Sequence, residues 1–228
     1  MPVSRGLKVL AAKARRNSPA QHSHRVYDGR YDTNLVRVLP GDLYLTDAAD
    51  ETIVTVLGSC IAACVRNPHS GFGGLNHFLL PSGTSSELVG DDLGLRFGNF
   101  AMEALISEVL KSGCAKNELE IKLFGGADLR DSTAHVGSKN AEFAVNYLRN
   151  EGLEPIVADL GGSHGRRIHY SPATGRAQRL LLQRHIELRV ALDEVTFASK
   201  LVNCLPQGAI ERFDECSKAR TGNLAGHL

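Results

Sequence analysis

The sequence predicts a mixed α/β or α+β sandwich rather than an all-parallel, doubly wound sheet. Two observations predict it: short β-branched runs joined by turn sequences, and two amphipathic helical segments interleaved with them. Elements in such a mixed order pack as layers of sheet and helix around one core. The 228 residues are enough for one domain with a substantial core and two tails.

The individual elements follow from the spacing of apolar residues and from the turn residues between them. Short β-branched runs bounded by glycine, proline or asparagine predict strands. Apolar residues at helical spacing, followed by a glycine, predict helices. The predicted strands are 43–45, Thr52–Leu57, Ile61–Val65, Gly74–Leu80, Glu120–Phe124, Ile156–Leu160, Arg167–Tyr170 and Arg179–Gln183, and the predicted helices are Phe97–Ser112 and Asn140–Asn150.

The chain is expected to divide into three parts. Residues 1–36 are polar with a basic, Ala-rich beginning, and we expect them to form a flexible N-terminal extension. Residues 37–192 form the folded domain. Residues 193–228 form a C-terminal extension with a helical patch at Val195–Val202.

Composition excludes several classes of protein. A hydrophobic content of 43% and a net charge of +1 describe an ordinary globular protein and give no reason to expect nucleic acid as a partner. No apolar run approaches the roughly 18 residues that cross a bilayer, and no secretory signal is recognisable. The five cysteines are odd in number and irregularly spaced, which argues against a disulfide framework and a structural zinc site. Free thiols fit a cytoplasmic location.

Cys60 is the candidate nucleophile. It follows Gly58 and Ser59 directly after the predicted strand Thr52–Leu57, where the backbone must turn sharply. Glycine permits a positive φ or a close backbone approach. A thiol at such a break can attack a carbonyl carbon while the backbone amides around Ser59 and Ile61 stabilise the oxyanion. The alternative is that Cys60 is simply a small buried hydrophobe.

His77 is the candidate base. The runs Ile61–Val65 and Gly74–Leu80 flank a turn whose midpoint falls near position 68, so the predicted hairpin puts His77 almost opposite Cys60. Opposed residues of paired strands have Cβ atoms about 4.5–5.5 Å apart, close enough for a thiol–imidazole pair. The register can slip by a residue or two. A core histidine beside a buried thiol is equally compatible with the sequence.

A third group usually orients the imidazole of such a pair. Thr55, on the strand that leads into the break, is the best local candidate, although a β-branched strand residue needs no such role. Asn76 is a weaker candidate, because adjacent strand residues point to opposite faces of a sheet.

Neither a nucleotide nor a metal is predicted. The glycine pairs at 125–126 and 161–162 follow strands but lack the spacing of a phosphate-binding loop, and they are better explained as tight turns or as the wall of a cleft. Several histidines could in principle join Cys60 around a metal, but none has the spacing of a metal-ligand motif: His135, His164, His169 and His185.

Several blocks of the sequence resemble the CheD family of chemoreceptor glutamine deamidases. They occur in the family's order between about residues 38 and 183, and the set as a whole carries the resemblance. The blocks are 56–64 (VLGSCIAAC), 73–81 (GGLNHFLLP), 122–127 (KLFGGA), 136–140 (VGSKN), 159–162 (DLGG), 165–167 (GRR) and 172–175 (PATG).

The resemblance implies an activity, a fold and a set of site residues. The activity is hydrolysis of the side-chain amide of selected glutamines in methyl-accepting chemotaxis receptors, a step in chemotactic signal transduction that needs no cofactor. The fold is a layered α/β/β/α sandwich with mixed sheets, related to the catalytic domain of the cytotoxic necrotizing factor toxins. The family's nucleophile, histidine and threonine fall on Cys60, His77 and Thr55. The family also includes members that bind a CheC-type phosphatase.

Two other functions stay open on the sequence. A papain-like amidase or peptidase would be expected to have its cysteine at the start of a long helix, whereas strand-like residues follow Cys60. A non-enzymatic adaptor that binds a CheC-type phosphatase or receptors would use the same cleft for binding alone.

Overall fold

The computed structural model describes residues 24–80, 90–129 and 135–203, with the side chains of residues 24, 90–96 and 200–203 left out. These described residues form two five-stranded sheets, three α-helices and a short 3-10 helix at Lys116–Glu118. The strands are β1 (His24–Asp28), β2 (Thr33–Arg37), β3 (Leu43–Thr46), β4 (Glu51–Leu57), β5 (Ile61–Arg66), β6 (Gly73–Phe78), β7 (Glu120–Gly125), β8 (Val157–Leu160), β9 (Arg166–Ser171) and β10 (Arg176–Leu181), and the helices are α1 (Gly90–Leu110), α2 (Val136–Asn150) and α3 (Arg184–Asn203).

Each sheet mixes parallel and antiparallel pairs. The first sheet has the order β1-β2-β4-β9-β10, in which β2 and β4 are parallel and the other neighbours antiparallel. The second has the order β3-β6-β5-β7-β8, in which only β7 and β8 are parallel. The predicted mixed α+β fold is confirmed.

The central strand β5 separates two hydrophobic cores. Ala62 and Cys64 point into a core between the two sheets, where they meet Ile53 of β4 and Tyr170 of β9. The alternate residues of β5 point into a second core beneath α1 and α2, which includes Leu105 and Leu148 of those helices. Strand β5 is thus buried on both faces, because successive side chains of a strand point to opposite sides.

Helix α3 does not add a further layer on the outer face of the first sheet. Phe197 and Ala198 of this helix pack against the core between the sheets, and Phe197 lies against Gly41. On the outer face of the first sheet, Leu180 of β10 remains exposed. The described helices therefore cover one face of the sandwich and one end of it. The relation to the cytotoxic necrotizing factor fold stays a prediction.

The ends of the chain differ from their expected organisation. Residues 24–37, most of which were assigned to the flexible extension, form β1 and β2 of the first sheet. Helix α3 runs across the expected boundary at 192/193 and begins well before the predicted patch at Val195–Val202. Residues 1–23 and 204–228 lie outside the described residues. The three-part division of the chain otherwise stays a prediction.

No helix in the described ranges combines the length and apolar character needed to cross a membrane.

Gly125 fixes the contact between β7 and Cys60, the residue directly before β5. Its φ of +114° lies in the region that favours glycine, and a Cβ there would sit 2.0 Å from the carbonyl oxygen of Cys60. The next amide, that of Gly126, donates to the same carbonyl at 2.8 Å. A side chain at position 125 would therefore push the Cys60 segment away from β7.

We expect Gly125→Ala to destabilise the protein by about 3 kcal/mol or more, because it adds a backbone clash to an unfavourable φ. Gly113→Ala is the matched control, since Gly113 also has a positive φ but a Cβ there would meet nothing within 4 Å. The control should cost only the strain of that backbone conformation, about 1–2 kcal/mol. Urea unfolding measures both, and equal losses would contradict the argument.

Candidate active site

A hydrogen-bonded chain joins the two sheets at the predicted site. Thr55, on the inner face of β4, donates its hydroxyl proton to the carbonyl of Val38 at 2.9 Å. The same oxygen lies 2.8 Å from Nδ1 of His77 on β6. Because the hydroxyl has only one proton, Thr55 accepts from Nδ1–H of His77. The imidazole is thereby held as the tautomer whose Nε2 carries a free lone pair.

Cys60 faces this histidine from the position directly before the neighbouring strand β5. A nitrogen of His77 and Sγ of Cys60 lie within 4.8 Å of each other. The free nitrogen Nε2 is buried and makes no hydrogen bond in the structure. An unpaired buried acceptor next to a thiol is the arrangement in which an imidazole can take the thiol proton.

The hairpin register differs by two residues from the predicted one. His77 pairs directly with Ala62, not with Cys60. Cys60 precedes Ala62 by two positions, and side chains repeat on the same face with a period of two. Cys60 and His77 are therefore diagonal neighbours on one face, which still allows the contact.

Burial keeps both groups of the pair neutral in this state. Burial raises the pKa of the Cys60 thiol well above its ordinary value, and the carboxylate of Glu194 raises it further. Burial lowers the pKa of His77 well below its ordinary value, opposed by the charge of Glu194. Both shifts disfavour a resting thiolate–imidazolium pair.

Three backbone amides converge beside Cys60. The amides of Gly58 and Cys60 donate to Oε1 of Glu194 at 2.9 and 3.2 Å. The amide and the hydroxyl of Ser59 donate to its Oε2 at 2.9 and 2.7 Å. Donors that meet at one point beside a thiol have the arrangement of an oxyanion hole, which in a cysteine hydrolase stabilises the negative oxygen of a tetrahedral intermediate.

Hydrogen bonds to the carbonyl groups of the same peptide units set the directions of two of these amides. In a trans peptide the carbonyl and the N–H point in opposite directions. The carbonyl of Gly58 accepts from the amide of Ala127 at 2.9 Å, and the carbonyl of Ser59 accepts from Nδ2 of Asn140 at 2.8 Å. Those two bonds turn the amides of Ser59 and Cys60 toward the oxyanion position.

Of the other predicted site residues, Gly58 lies at the site, whereas the side chains of Ile61 and Asn76 point away from it. Gly58 does not have a positive φ, but a Cβ there would lie 2.9 Å from a carboxylate oxygen of Glu194, so a side chain at this position would displace that carboxylate. Ile61 points away from the site into the core beneath the helices. Asn76 also points away, since its side chain contacts the backbone of Ala63 and Ala101.

Two residues of the site were missed by sequence reasoning. Asn140, fully buried on α2, also accepts from the amide of Leu80 at 3.0 Å and so ties together two loops around the site. Asn140 lies in the sequence block 136–140 that resembles the CheD family, but no pattern in the neighbouring sequence indicated its contact with Ser59. Glu194 is separated from the Gly58–Cys60 segment by more than 130 positions, and no spacing rule connects the two.

Ala127 and Asp128, which follow the first glycine pair, form one wall of the site, and the second glycine pair packs behind them. The amides of Gly126 and Ala127 donate to Cys60 and Gly58, and the amide of Asp128 donates to the carbonyl of Gly162 at 2.9 Å. Arg166, buried under this wall, donates to the carbonyls of Asp159 and Gly161.

One group of residues in the described parts of the chain has donor atoms that could bind a metal together. Cys60, His77 and Glu194 each offer one atom, and the three atoms lie within 4.8 Å of one another. Both oxygens of Glu194 are already occupied by N–H and O–H donors. The histidines considered from the sequence are dispersed: His135 lies near Asp128, His164 near Glu187, and His169 beside Tyr31.

Comparison with known proteins identifies the family. Residues 79–179 match the family model described as "CheD chemotactic sensory transduction". A probable chemoreceptor glutamine deamidase CheD of Rhodopseudomonas palustris (strain BisA53) is 43% identical over 189 residues, covering 83% of this chain and 89% of that protein. The chain belongs to the CheD family.

Other CheD relatives are similar over comparable lengths. A probable chemoreceptor glutamine deamidase CheD of Halorhodospira halophila is 45% identical over 167 residues, covering 72% of this chain and 77% of the relative. One of Bordetella petrii is 39% identical over 209 residues, covering 88% and 92%. The resemblance predicted from the sequence blocks is confirmed.

The neutral, buried His77 of this CheD protein has a consequence for stability. Its lowered pKa means that the unfolded chain takes up a proton near the ordinary value of 6.5 while the folded state resists it. A depressed pKa contributes stability that is present above the unfolded value and is lost as the pH falls. We expect the free energy of unfolding to decrease from about pH 7 to about pH 5.

The variant His77→Gln should flatten that decrease, as measured by urea unfolding at a series of pH values. The matched control is His185→Gln, at an exposed position in the first turn of α3, which should keep the slope of the unmodified protein. Identical slopes in the two variants would contradict a dominant contribution from His77.

Proposed function

We propose that this chain hydrolyses the side-chain amide of selected glutamines in chemoreceptors and releases ammonia, with Cys60 as nucleophile, His77 as base and Thr55 as the residue that orients His77. The names of its relatives state this activity for those proteins. The observation that carries the proposal is the meeting of a thiol, a free imidazole nitrogen and three amide donors at one point.

The proposed reaction begins with the neutral Cys60–His77 pair. His77 Nε2 takes the thiol proton as Sγ attacks the carboxamide carbon of the substrate glutamine. The carbonyl oxygen becomes negative and accepts hydrogen bonds from the backbone amides of Gly58, Ser59 and Cys60. His77 then returns the proton to the departing nitrogen, so that ammonia leaves and a thioester of Cys60 remains.

Water completes the cycle. His77, again neutral after ammonia leaves, removes a proton from water, which attacks the thioester carbon. The bond to Sγ breaks and the thiol is restored with the proton held by His77. The substrate glutamine has become glutamate, and no cofactor or metal is consumed.

Support for a glutamine deamidase over a papain-like peptidase comes from the arrangement around Cys60. The residue after Cys60 begins strand β5, not a helix. Mass spectrometry separates the two activities, because deamidation adds about one dalton to the substrate and leaves its backbone intact. Cleaved receptor fragments would favour the peptidase.

A CheC-type phosphatase as a second partner and a cytoplasmic location are further proposals. The location is supported by the free thiols of Cys60, Cys64 and Cys114 in the described residues, which fit a reducing compartment. A strain with Cys60→Ala that keeps normal chemotactic signalling would favour an adaptor role over catalysis.

We expect Cys60→Ala to abolish ammonia release from a receptor fragment while the fold is kept. Cys64→Ala is the matched control, since Cys64 is equally buried in the same core but lies within β5, away from the amides of the Gly58–Cys60 segment. The control variant should retain activity at temperatures where it remains folded, as checked by circular dichroism. Activity in Cys60→Ala comparable to that of the unmodified chain would refute the nucleophile assignment.

We expect Thr55→Val to lower kcat by about ten- to hundredfold, because the ring of His77 loses the acceptor that sets its orientation and tautomer. Thr55→Ser keeps the hydroxyl and should recover most of the activity. The pH dependence of kcat/KM is the second readout, since a merely structural role for Thr55 would leave it unchanged. Equal activity in the two variants would exclude an orienting hydroxyl.

A further inference from the structure

Glu194 is a buried carboxylate that the proposed chemistry does not use. Only 5% of the residue is exposed, although it lies on α3 between the exposed Asp193 and Val195. Burying a charge is costly unless it is hydrogen-bonded, and here four donors supply that compensation. The donors are the three amides of the Gly58–Cys60 segment and the hydroxyl of Ser59.

A glutamate side chain in this position has the same chemical structure as the product of the proposed reaction. Its carboxylate occupies the oxyanion hole, and one of its oxygens lies within 4.8 Å of both Cys60 and His77. A substrate glutamine would have to bring its carboxamide to the same donors. Glu194 and a substrate side chain therefore cannot occupy the site together.

We propose that α3 is a built-in inhibitor, in which Glu194 acts as an internal product analogue that must leave before a receptor glutamine can enter. This inference rests on the proposed deamidase function. It assigns a regulatory role to α3, part of which was predicted from the sequence to belong to a C-terminal extension. The occupant of the closed site is this chain's own helix, and the partner that displaces it is the substrate.

The packing of α3 fits an element that can open. A cavity of about 160 Å³ lies between the helix and the wall of the site, with small residues of α3, Ala191 and Ala198, beside Glu194. Large apolar side chains on the opposite side, Leu188 and Leu192, are 65% and 68% exposed. A helix with few buried side chains belongs to the low-stability part of a fold.

The start of α3 is attached separately from Glu194. Glu187 accepts from the amide of Gly165 at 3.1 Å and contacts His164 at 3.0 Å. The amide of Leu182, just before the helix, donates to the carbonyl of Gly165 at 2.9 Å. The helix can thus remain tethered near its first turn while its later part, with Glu194, moves out of the site.

Tethering makes the inhibitor effective at any protein concentration. A ligand on the same chain binds as if present at about millimolar concentration. If the open form is a minor population, the apparent affinity for substrate falls by that fraction. Removing the carboxylate should therefore lower KM and leave kcat nearly unchanged.

The first test compares Glu194→Ala with Asp193→Ala in the full chain. Glu194→Ala should lower KM for a receptor fragment by about tenfold at similar kcat, and should speed alkylation of Cys60 by iodoacetamide. Asp193→Ala removes the neighbouring exposed carboxylate and should match the unmodified chain in both measurements. Unchanged alkylation and unchanged KM in Glu194→Ala, or a loss of kcat, would overturn the proposal.

The second test introduces a substrate into the closed site. Glu194→Gln presents a carboxamide to Cys60, and the chain should hydrolyse it: Sγ bonds to the carboxamide carbon, ammonia leaves with the proton from His77, and water releases the new carboxylate. Peptide mass spectrometry should find a gain of about one dalton at position 194. The double variant Cys60→Ala with Glu194→Gln should keep its carboxamide.

The outcomes separate this inference from the function on which it rests. An intact carboxamide at position 194 in a chain that still deamidates receptor fragments would overturn the product-analogue geometry alone. Failure of every variant, including Glu194→Ala, to act on receptor fragments would refute the deamidase function. In that case faster alkylation of Cys60 in Glu194→Ala would still support closure of the site by α3.

Discussion

The site depends on the way the backbone leaves β4. Between Leu57 and Ile61 the chain passes from the first sheet to the second, and its amides are then no longer used by strand pairing. Buried amides need acceptors. The amide of Ala127 and the side chain of Asn140 hold the carbonyls of this segment, so its N–H groups can point only toward the space beside Cys60. An anion-binding position is the result.

The same crossing brings His77, the proposed base, close to Cys60, the proposed nucleophile. His77 belongs to the second sheet and Cys60 directly precedes strand β5 of that sheet, whereas Thr55 belongs to the first, so the Thr55–His77 hydrogen bond spans the interior of the sandwich. The packing of the two sheets, not local sequence, fixes this distance. Burial between sheets also keeps the thiol and the imidazole neutral, which favours a neutral carboxamide as the group that enters.

What the sequence could predict was set by the range of each interaction. The side-chain period of two in a strand identified the face of His77 and made Asn76 the weaker candidate for the third residue. It remained valid although the hairpin register differed by two residues. Strands β1 and β2 were not predicted because they carry few buried apolar residues. In β2 only Val36 is buried. The contacts of Asn140 and Glu194 with the Gly58–Cys60 segment depend on tertiary packing, for which a single sequence carries no periodic signal.

The charge of Glu194 links closure of the site to its chemical state. The carboxylate raises the pKa of the Cys60 thiol, which means that it binds the thiol form better than the thiolate form. Linkage is reciprocal, so formation of the thiolate must weaken the docking of Glu194 by the same free energy. A glutamate product held by the same donors is subject to the same repulsion. Ionisation of Cys60 therefore favours both release of product and withdrawal of α3, while a neutral carboxamide is not repelled. An oxyanion hole that binds carboxylates through charge-assisted hydrogen bonds can in this way still turn over a neutral substrate.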